Sequence, residues 1–161
     1  MRQVASIALA LTLLAACTST PSLTPPASIP PGLEPIAAAY LDLVAQSNKA
    51  TCTFNVALSQ SAPTLADLQR ASADYATSVA NLIGGLRALD WPADIADDAA
   101  TLIDALTTNE GRTREMVAAD SMSSFITADN QLIEANKASA AAATQLRTDL
   151  GMASAGDPCS T

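Results

Sequence analysis

Residues 64–92 have the sequence TLADLQRASADYATSVANLIGGLRALDWP, and this stretch decides the fold class. Its larger apolar side chains recur at steps of three and four residues, which places them on one face of an α-helix. Thr64 is followed three residues later by Asp67, a spacing that resembles a capping box at a helix start. Pro63 marks the end of any preceding helix, and Pro92 suits the first turn of the next one. The stretch therefore predicts one amphipathic helix with both boundaries marked.

The same spacing continues on both sides and predicts four helices in total. In each helix the inward-facing positions form a seam with a strict heptad step, which favours the shallow crossing angles of a left-handed bundle. No window alternates with a period of two residues, so we expect no sheet. Short loops make neighbouring helices antiparallel, so we predict an all-α, antiparallel up-down-up-down four-helix bundle over residues 36–151. The four seams are Tyr40, Val44, Ser47, Thr51, Phe54 and Leu58; Leu65, Leu68, Ser72, Tyr75, Val79, Leu82, Leu86 and Leu89; Ile95, Ala99, Leu102, Leu106, Asn109, Thr113 and Met116; Phe125, Asp129, Leu132, Asn136, Ser139, Ala143, Leu146 and Leu150.

Polar and acidic residues mark the starts of the last two helices. Asp94, Asp97 and Asp98 crowd the first turn of the third helix, where the helix dipole favours negative charge. A polar cluster around Ser121 can cap the start of the fourth helix, and Gly151 can close its end.

Composition excludes several classes of function. The chain has 161 residues, enough for one domain, and no His, so the usual general base and the commonest metal ligand are both missing. The 16 Asp and Glu residues against 8 Lys and Arg residues give a formal charge of −8, which argues against nucleic-acid binding. An apolar fraction of 49% is too high for a disordered chain. No apolar run reaches the roughly 18 residues of a membrane-spanning helix.

Motifs assign no catalytic chemistry either. The sequence has no nucleophile elbow and no phosphate-binding loop. Without His a serine nucleophile would need Lys or an acid as its base, and both lysines, Lys49 and Lys137, are predicted to face solvent. The clustered acids lack the glycine-centred spacing of an EF-hand, and a helix N-terminus explains them without a metal. These acids are Asp90, Asp94, Asp97, Asp98 and Asp104. We predict no enzyme activity, no catalytic residue, no metal and no cofactor.

The N-terminus has the features of an export signal. Arg2 precedes an apolar stretch over residues 4–16, which has the length and flank of a secretory signal peptide. The stretch ends in LAAC at residues 14–17, which resembles the lipobox of bacterial lipoproteins. The resemblance implies a signal peptide over residues 1–16, a diacylglyceryl group on the Cys17 thiol and acylation of the new amine, for example with palmitate. The alternative is an ordinary secretory signal in which Cys17 is incidental.

Residues 17–35 are predicted to be a disordered tether between the lipid and the bundle. They hold most of the nine prolines, which favours extended polyproline II structure without a packed core. At ~3.1 Å per residue, residues 18–35 span roughly 55 Å. Each buried CH₂ contributes roughly 0.8 kcal/mol, so two or three acyl chains bind a membrane durably. The predicted location is the extracytoplasmic side of the cell membrane. An Asp directly after the lipidated Cys resembles a signal for retention in the inner membrane. This chain has Thr18 at that position, which favours the outer membrane if the organism has one.

Two cysteines remain once Cys17 is lipidated, and an exported domain meets an oxidising environment. Cys52 lies about 24 Å along the first helix, and the residues from Gly151 to Cys159 reach about 26 Å when extended. The C-terminal tail, residues 152–161, can therefore fold back along the first helix. We predict a disulfide between Cys52 and Cys159. The alternatives are two free thiols or pairing with another chain.

Polar residues occupy the seams of all four helices at a similar height along the bundle. They are Ser47, Thr51, Ser72, Tyr75, Asn109, Thr113, Asn136 and Ser139. One interpretation is a hydrogen-bonded layer that fixes the register of the helices. The other is a small cavity between helices that binds a polar ligand or water.

The order of lipobox, Pro-rich spacer and Ala-rich heptad helices resembles that of exported helical proteins common in actinobacteria. This resemblance covers most of the chain and includes the segment LRALDWPADIADDAATLIDAL at residues 86–106 and the terminal LRTDLG at 146–151. It implies the architecture and no activity. The leading prediction is a non-catalytic, membrane-anchored envelope lipoprotein whose bundle binds another envelope protein or a wall component, with no nucleic-acid partner. A small-ligand-binding or sensing bundle and a purely structural surface protein are the alternatives.

Overall fold

The computed structural model describes residues 28–153, 155 and 159, and this part of the chain contains four α-helices and no strand. The prediction of an all-helical chain with four helices is therefore confirmed. Residues 1–27, which include the predicted signal peptide and Cys17, lie outside the described residues, as does most of the tail after Ala153. The helices are α1 (Glu34–Leu58), α2 (Leu65–Ala88), α3 (Ala96–Val117) and α4 (Met122–Asp149).

Consecutive helices pack against one another, α1 on α2, α2 on α3 and α3 on α4. The buried residues form two core clusters. The first core cluster joins the end of α1, the start of α2, the end of α3 and the start of α4. It includes Phe54, Leu68, Met116, Phe125 and Leu132. The second core cluster joins the opposite ends of the same helices, and it includes Tyr40, Leu86, Ala99, Leu146 and Leu150.

The heptad seams identify the core correctly, with a few deviations. Most predicted seam residues are buried, and Tyr40, Leu86 and Leu146 are almost completely so. Asp129 is half-buried and Asn136 is exposed, although both belong to the predicted seam of α4. Asn136 accepts a hydrogen bond from Asn109 of α3 although it is exposed, and α1 does not pack along α4.

Capping residues begin two of the helices as the sequence predicts. The Ser121 hydroxyl accepts a hydrogen bond from the Ser124 N–H, and the Ser124 hydroxyl accepts one from the Ser121 N–H, which makes a reciprocal capping box. The Thr64 hydroxyl accepts from the Asp67 N–H at 3.2 Å but donates to the Asp67 carboxylate, so this cap is not reciprocal. That donated bond is the main reason why the pKa of Asp67 lies below its ordinary value.

Two helix starts differ from the prediction. Helix α3 begins at Ala96, so Pro92 lies in the preceding turn and not in the first helical turn. The Pro92 carbonyl accepts hydrogen bonds from the N–H groups of Ile95 and Ala96, both at 2.9 Å, so proline closes the turn that leads into the helix. Helix α1 begins at Glu34, two residues earlier than predicted, because Pro35 fits the first turn without losing a hydrogen bond.

The end of α4 is closed by Gly151, as predicted. Its φ is +67°, and the N–H groups of Gly151 and Met152 donate to the carbonyls of Thr148 and Arg147, which is the Schellman arrangement. The backbone of Ser28 and the ring of Pro30 pack so closely on Gly151 that an added Cβ would lie 2.6 Å from each. The described chain therefore enters the domain at the C-terminal end of α4.

Two adjacent glycines in α2 have different surroundings. A Cβ on Gly85 would overlap the side chain of Leu43 in α1, whereas a Cβ on Gly84 would meet nothing within 4 Å. Gly85 therefore lets α1 approach α2 closely, and Gly84 does not serve a contact within the described part of the chain.

We expect Gly84→Ala to stabilise the protein by up to about 1 kcal/mol, because Ala favours a helix interior over Gly and meets no neighbour here. Gly85→Ala, the matched control in the same helix, should be the less stable variant because Leu43 must move. Thermal unfolding of both variants checks this. Equal stabilisation by both changes would contradict the close approach of α1 and α2.

Candidate functional site

The predicted polar layer separates into two groups in the structure. On α3 and α4, the Asn109 side-chain amide donates to Asn136 Oδ1 at 2.8 Å and to Ser139 Oγ at 2.9 Å. Thr113 is fully buried and donates to the Asn109 backbone carbonyl at 2.8 Å. These four residues form one connected network that ties α3 to α4.

The other four residues lie on α1 and α2, and two of their hydroxyls bond to their own helix. Thr51 donates to the Ser47 carbonyl at 3.0 Å, and the buried Ser72 donates to the Leu68 carbonyl at 2.8 Å. Such bonds satisfy a hydroxyl locally. Burial raises the pKa of Tyr75 above its ordinary value, and a hydrogen bond with the Thr51 side chain opposes this shift. Within the described residues, no hydrogen bond joins this group to the α3–α4 network.

Asn109 carries the one fully buried polar side-chain atom that lacks a hydrogen-bond partner within the described residues. Its side chain is 2% exposed, and its Oδ1 is buried without a hydrogen bond among the described residues. An unpaired buried acceptor costs about 1–3 kcal/mol. The amide nitrogen is held by Asn136 and Ser139, so the oxygen is directed away from them. A group placed at this oxygen would have to be a hydrogen-bond donor.

Two open grooves lie between α1 and α2. The larger has a volume of about 640 Å³ and is lined by polar residues that include Gln46, Lys49 and Arg70. The smaller has a volume of about 280 Å³, and Ser47 lies in its wall. Of the predicted layer, only Ser47 and Tyr75 line these grooves. The grooves open to solvent, and no residue of α3 or α4 lines them.

The floor of the larger groove contains a stacked aromatic pair. The rings of Phe54 and Tyr75 are 4.8 Å apart and nearly parallel, and both side chains are at least nine-tenths buried. Small residues at Ala50, Ala57 and Ala71 line the groove and leave the space between the two helices unfilled. This groove does not follow from the sequence pattern, because its polar residues have the spacing of an ordinary solvent-facing surface. The heptad-spaced alanines next to the α1 seam were the available signal.

Acidic residues from α3 and α4 meet at the end of the domain where the chain enters. A hydrogen bond between the side chains of Asp98 and Asp149 is the main cause that raises the pKa of Asp98, followed by partial burial and by repulsion from Asp149 and Asp97. The Gln145 amide donates to both carboxylate oxygens of Asp149, at 3.0 and 3.1 Å. Asp98 is therefore the member of the pair that favours the protonated form.

We expect this pair to make stability depend on pH. The pKa of Asp98 is higher in the folded than in the unfolded state, so protonated Asp98 stabilises the fold. This stabilisation is complete below the unfolded-state pKa of about 3.9 and is lost as the pH rises through the folded-state pKa. Asp98→Asn mimics the protonated form at every pH. The melting temperature of the variant minus that of wild type should therefore increase between pH 4 and pH 7. Asp97→Asn, which removes a first-turn charge from the same helix, is the control. A difference for Asp98→Asn that does not change with pH would contradict the shared proton.

The remaining predictions concern metals, membranes and cysteines. Within the described residues, no group of three or more His, Cys, Asp or Glu side chains is placed to hold a metal ion. None of the four helices has the length and apolarity that crossing a membrane requires.

Cys52 and Cys159 form a disulfide with a Cα–Cα distance of 5.4 Å, as predicted. The bond links the second half of α1 to the C-terminal tail. Cys17 lies outside the described residues.

Comparison of the chain with protein-family models, with curated proteins and with solved structures finds no significant match.

Proposed function

We propose that the protein is an envelope lipoprotein, anchored on the extracytoplasmic side of the membrane by acyl chains on Cys17, whose helical domain binds another protein or a wall component without catalysing a reaction. The disulfide between Cys52 and Cys159 is the observation that carries this proposal. Structural disulfides persist in oxidising compartments and are rare in the cytosol, so the bond is consistent with export. The apolar segment before Cys17 has the features of a signal peptide, which would direct export of the chain.

The proposed arrangement is an up-down-up-down bundle that is attached to the membrane at one end. Two observations support it. In each core cluster, the end of one helix packs beside the start of the next helix, as antiparallel neighbours do. The start of the described chain packs on Gly151. Eleven residues, 17–27, would then separate the lipid from the domain, a span of about 34 Å in polyproline II structure. The first core cluster would lie at the far end, directed away from the membrane.

A non-catalytic role is supported by the chemistry of the described side chains. The buried hydroxyls of Ser72 and Thr113 are bonded to carbonyls of their own helices and are not activated by a neighbouring base. Lys137 forms an ion pair with Glu134 on the surface, and the chain contains no His. The proposal therefore assigns the surface of the helices, and not an enclosed active site, to function.

The experiment that tests this proposal compares wild type with Cys17→Ser in the native host. Wild type should incorporate radiolabelled palmitate and sediment with membranes. Cys17→Ser should incorporate no label and should leave the membrane fraction or accumulate as an uncut precursor. If the variant partitions into detergent as wild type does and carries the same label, the anchor is not at Cys17 and the proposal is wrong.

A second candidate function, binding of a small ligand, is favoured by the unpaired Oδ1 of Asn109. The ligand would place a donor, such as a hydroxyl or ammonium group, at this oxygen. The same atom fits the simpler role of a polar layer that fixes the register of α3 against α4.

Asn109→Leu distinguishes these roles. Leu removes the unpaired acceptor, but it also removes the two hydrogen bonds that the Asn109 amide donates to Asn136 and Ser139. We therefore expect the empty protein to lose about 1–3 kcal/mol of stability. If a ligand occupies the site, wild type purified from the host should carry a bound small molecule in native mass spectrometry, and Asn109→Leu should lack it. Ser72→Ala, which alters a buried hydroxyl on another helix, is the control. A destabilised Asn109→Leu variant without any bound molecule in wild type would favour the register role alone.

A further inference from the structure

Helix α4 carries an exposed apolar stripe, defined as Met122, Ile126 and Ile133, on one flank. Their exposed fractions are 38%, 51% and 37%. The spacings of four and seven residues place all three side chains on one face of the helix. Apolar side chains scattered singly on a surface are ordinary, whereas an aligned set on one helix face marks a potential contact.

The stripe lies on the flank of α4 that faces α1. Arg147 lies two heptads beyond Ile133 and so shares its side of the helix, and the Arg147 guanidinium lies beside the Tyr40 hydroxyl of α1. At Tyr40 this flank is therefore covered. Ile126 and Ile133, on the same flank, are not covered by any other helix in the described part of the chain.

A difference in helix length explains why the start of the stripe is exposed. Tyr40 and Leu146 belong to the same core cluster and mark a common height. From there α1 runs 18 residues to Leu58, about 27 Å, whereas α4 extends 24 residues back to Met122, about 36 Å. The start of α4 thus projects about 9 Å beyond the end of α1, which leaves Met122 and Ile126 without a neighbour in α1. Asp129 and Ile133 lie at heights that α1 still reaches, but α1 and α4 do not pack along their length. The space beside the start of α4 is where a fifth helical segment would continue the packing.

Asp129 lies within the stripe and indicates the charge of its partner. It is half-buried, and no hydrogen bond or ion pair engages it among residues 28–153. Burial alone raises the pKa of Asp129 above its ordinary value. The carboxylate is therefore partly desolvated, and no neighbouring cation compensates the cost. A Lys or Arg from a partner would relieve that cost through a charge-assisted hydrogen bond.

We infer that the stripe, together with Asp129, is the docking site for a basic amphipathic helix of another envelope protein. The partner's apolar face would cover Met122, Ile126 and Ile133, and its Lys or Arg would pair with Asp129, which is the helix-in-groove mode of recognition. This inference rests on the proposed envelope location and deepens it by naming the surface and the class of partner.

Charge and position disfavour two other occupants. A second copy of this chain would bring two Asp129 carboxylates together, and each chain has a formal charge of −8. Lipid is disfavoured because Ile133 lies about 20 Å, and Met122 about 36 Å, from the height of Leu146, near which the tether enters. The stripe therefore lies towards the end of the domain that is farther from the tether.

Site-specific photocrosslinking in the native host tests the inference. The full chain carries a benzophenone amino acid in place of Ile126, and in the control it is placed at Gln131, which is exposed on the opposite flank of α4. We expect Ile126 to give an adduct with a protein segment whose apolar residues have helical spacing and which contains Lys or Arg. Gln131 should not give this adduct.

Charge reversal supplies the second readout. Asp129→Lys should reduce the adduct at least tenfold without lowering the melting temperature, and changing the partner's basic residue to Glu should restore it. An adduct between two copies, an adduct with lipid alone, no adduct, or an adduct unaffected by Asp129→Lys would each overturn the inference. Palmitate labelling at Cys17 in the same cells tests the membrane anchor separately. A chain that carries the label but gives no adduct contradicts the docking site and not the anchor.

Discussion

Replacement of both Cys52 and Cys159 by serine is expected to lower the free energy of unfolding by about 4.7 kcal/mol, the largest effect of any change considered. The bond closes a loop with a sequence separation of 107 residues. On the chain-entropy account, a loop of roughly 100 residues removes about this much free energy from the unfolded state. A loss of that size is comparable with the total stability of many small domains, so the variant should unfold near physiological temperature.

Denaturant unfolding in oxidising and in reducing buffer measures this effect. In reducing buffer wild type and the double-serine variant should unfold at the same denaturant concentration, because neither then has the bond. In oxidising buffer wild type alone should be stabilised. Equal stability of the two proteins in oxidising buffer would show that the bond contributes nothing, and the tail could then no longer be regarded as fixed to α1.

The second large effect is expected from Gly151→Ala, which should destabilise the protein by about 3 kcal/mol. Part of this loss comes from the left-handed backbone, since φ is +67° and a side chain there costs about 1–2 kcal/mol. The rest comes from overpacking, because a Cβ would lie 2.6 Å from the Ser28 carbonyl oxygen and from the Pro30 ring, and overpacking costs about 1–3 kcal/mol.

Gly32→Ala is the matched control for this change. Gly32 also has a positive φ, +93°, but a Cβ there would meet nothing within 4 Å. The difference between the two variants in thermal unfolding therefore isolates the contact between Gly151 and the entering chain. Equal losses for Gly32→Ala and Gly151→Ala would mean that Ser28 and Pro30 do not pack on the end of α4 in solution.

Local chemistry made much of the fold predictable. Ser121 and Gly151 have side-chain and backbone properties that act within a few residues, so the start and the end of α4 follow from sequence alone. The disulfide was predictable for a different reason. The distance from Gly151 to Cys159 along the chain matches the distance along α1 to Cys52, so simple reach was enough.

The candidate sites were harder to predict because they depend on how the helices are spaced. Seam periodicity shows that Asn109 faces the core, but it does not show that its oxygen lacks a partner. It also places Asn136 in the core, although that residue is exposed. The groove between α1 and α2 arises from Ala50 and Ala57, whose small volumes have an effect only when the neighbouring helix is in place.

The central claim is that the mature chain begins at a lipidated Cys17 and carries one internal disulfide. Intact-mass spectrometry of the chain purified from its native host tests both parts at once. The account predicts loss of residues 1–16, added mass for a diacylglyceryl group with or without a further acyl chain, and a mass lowered by the two hydrogens that leave when Cys52 and Cys159 join. A chain that retains Met1, or one that is cut without added lipid and has both thiols free, would contradict it.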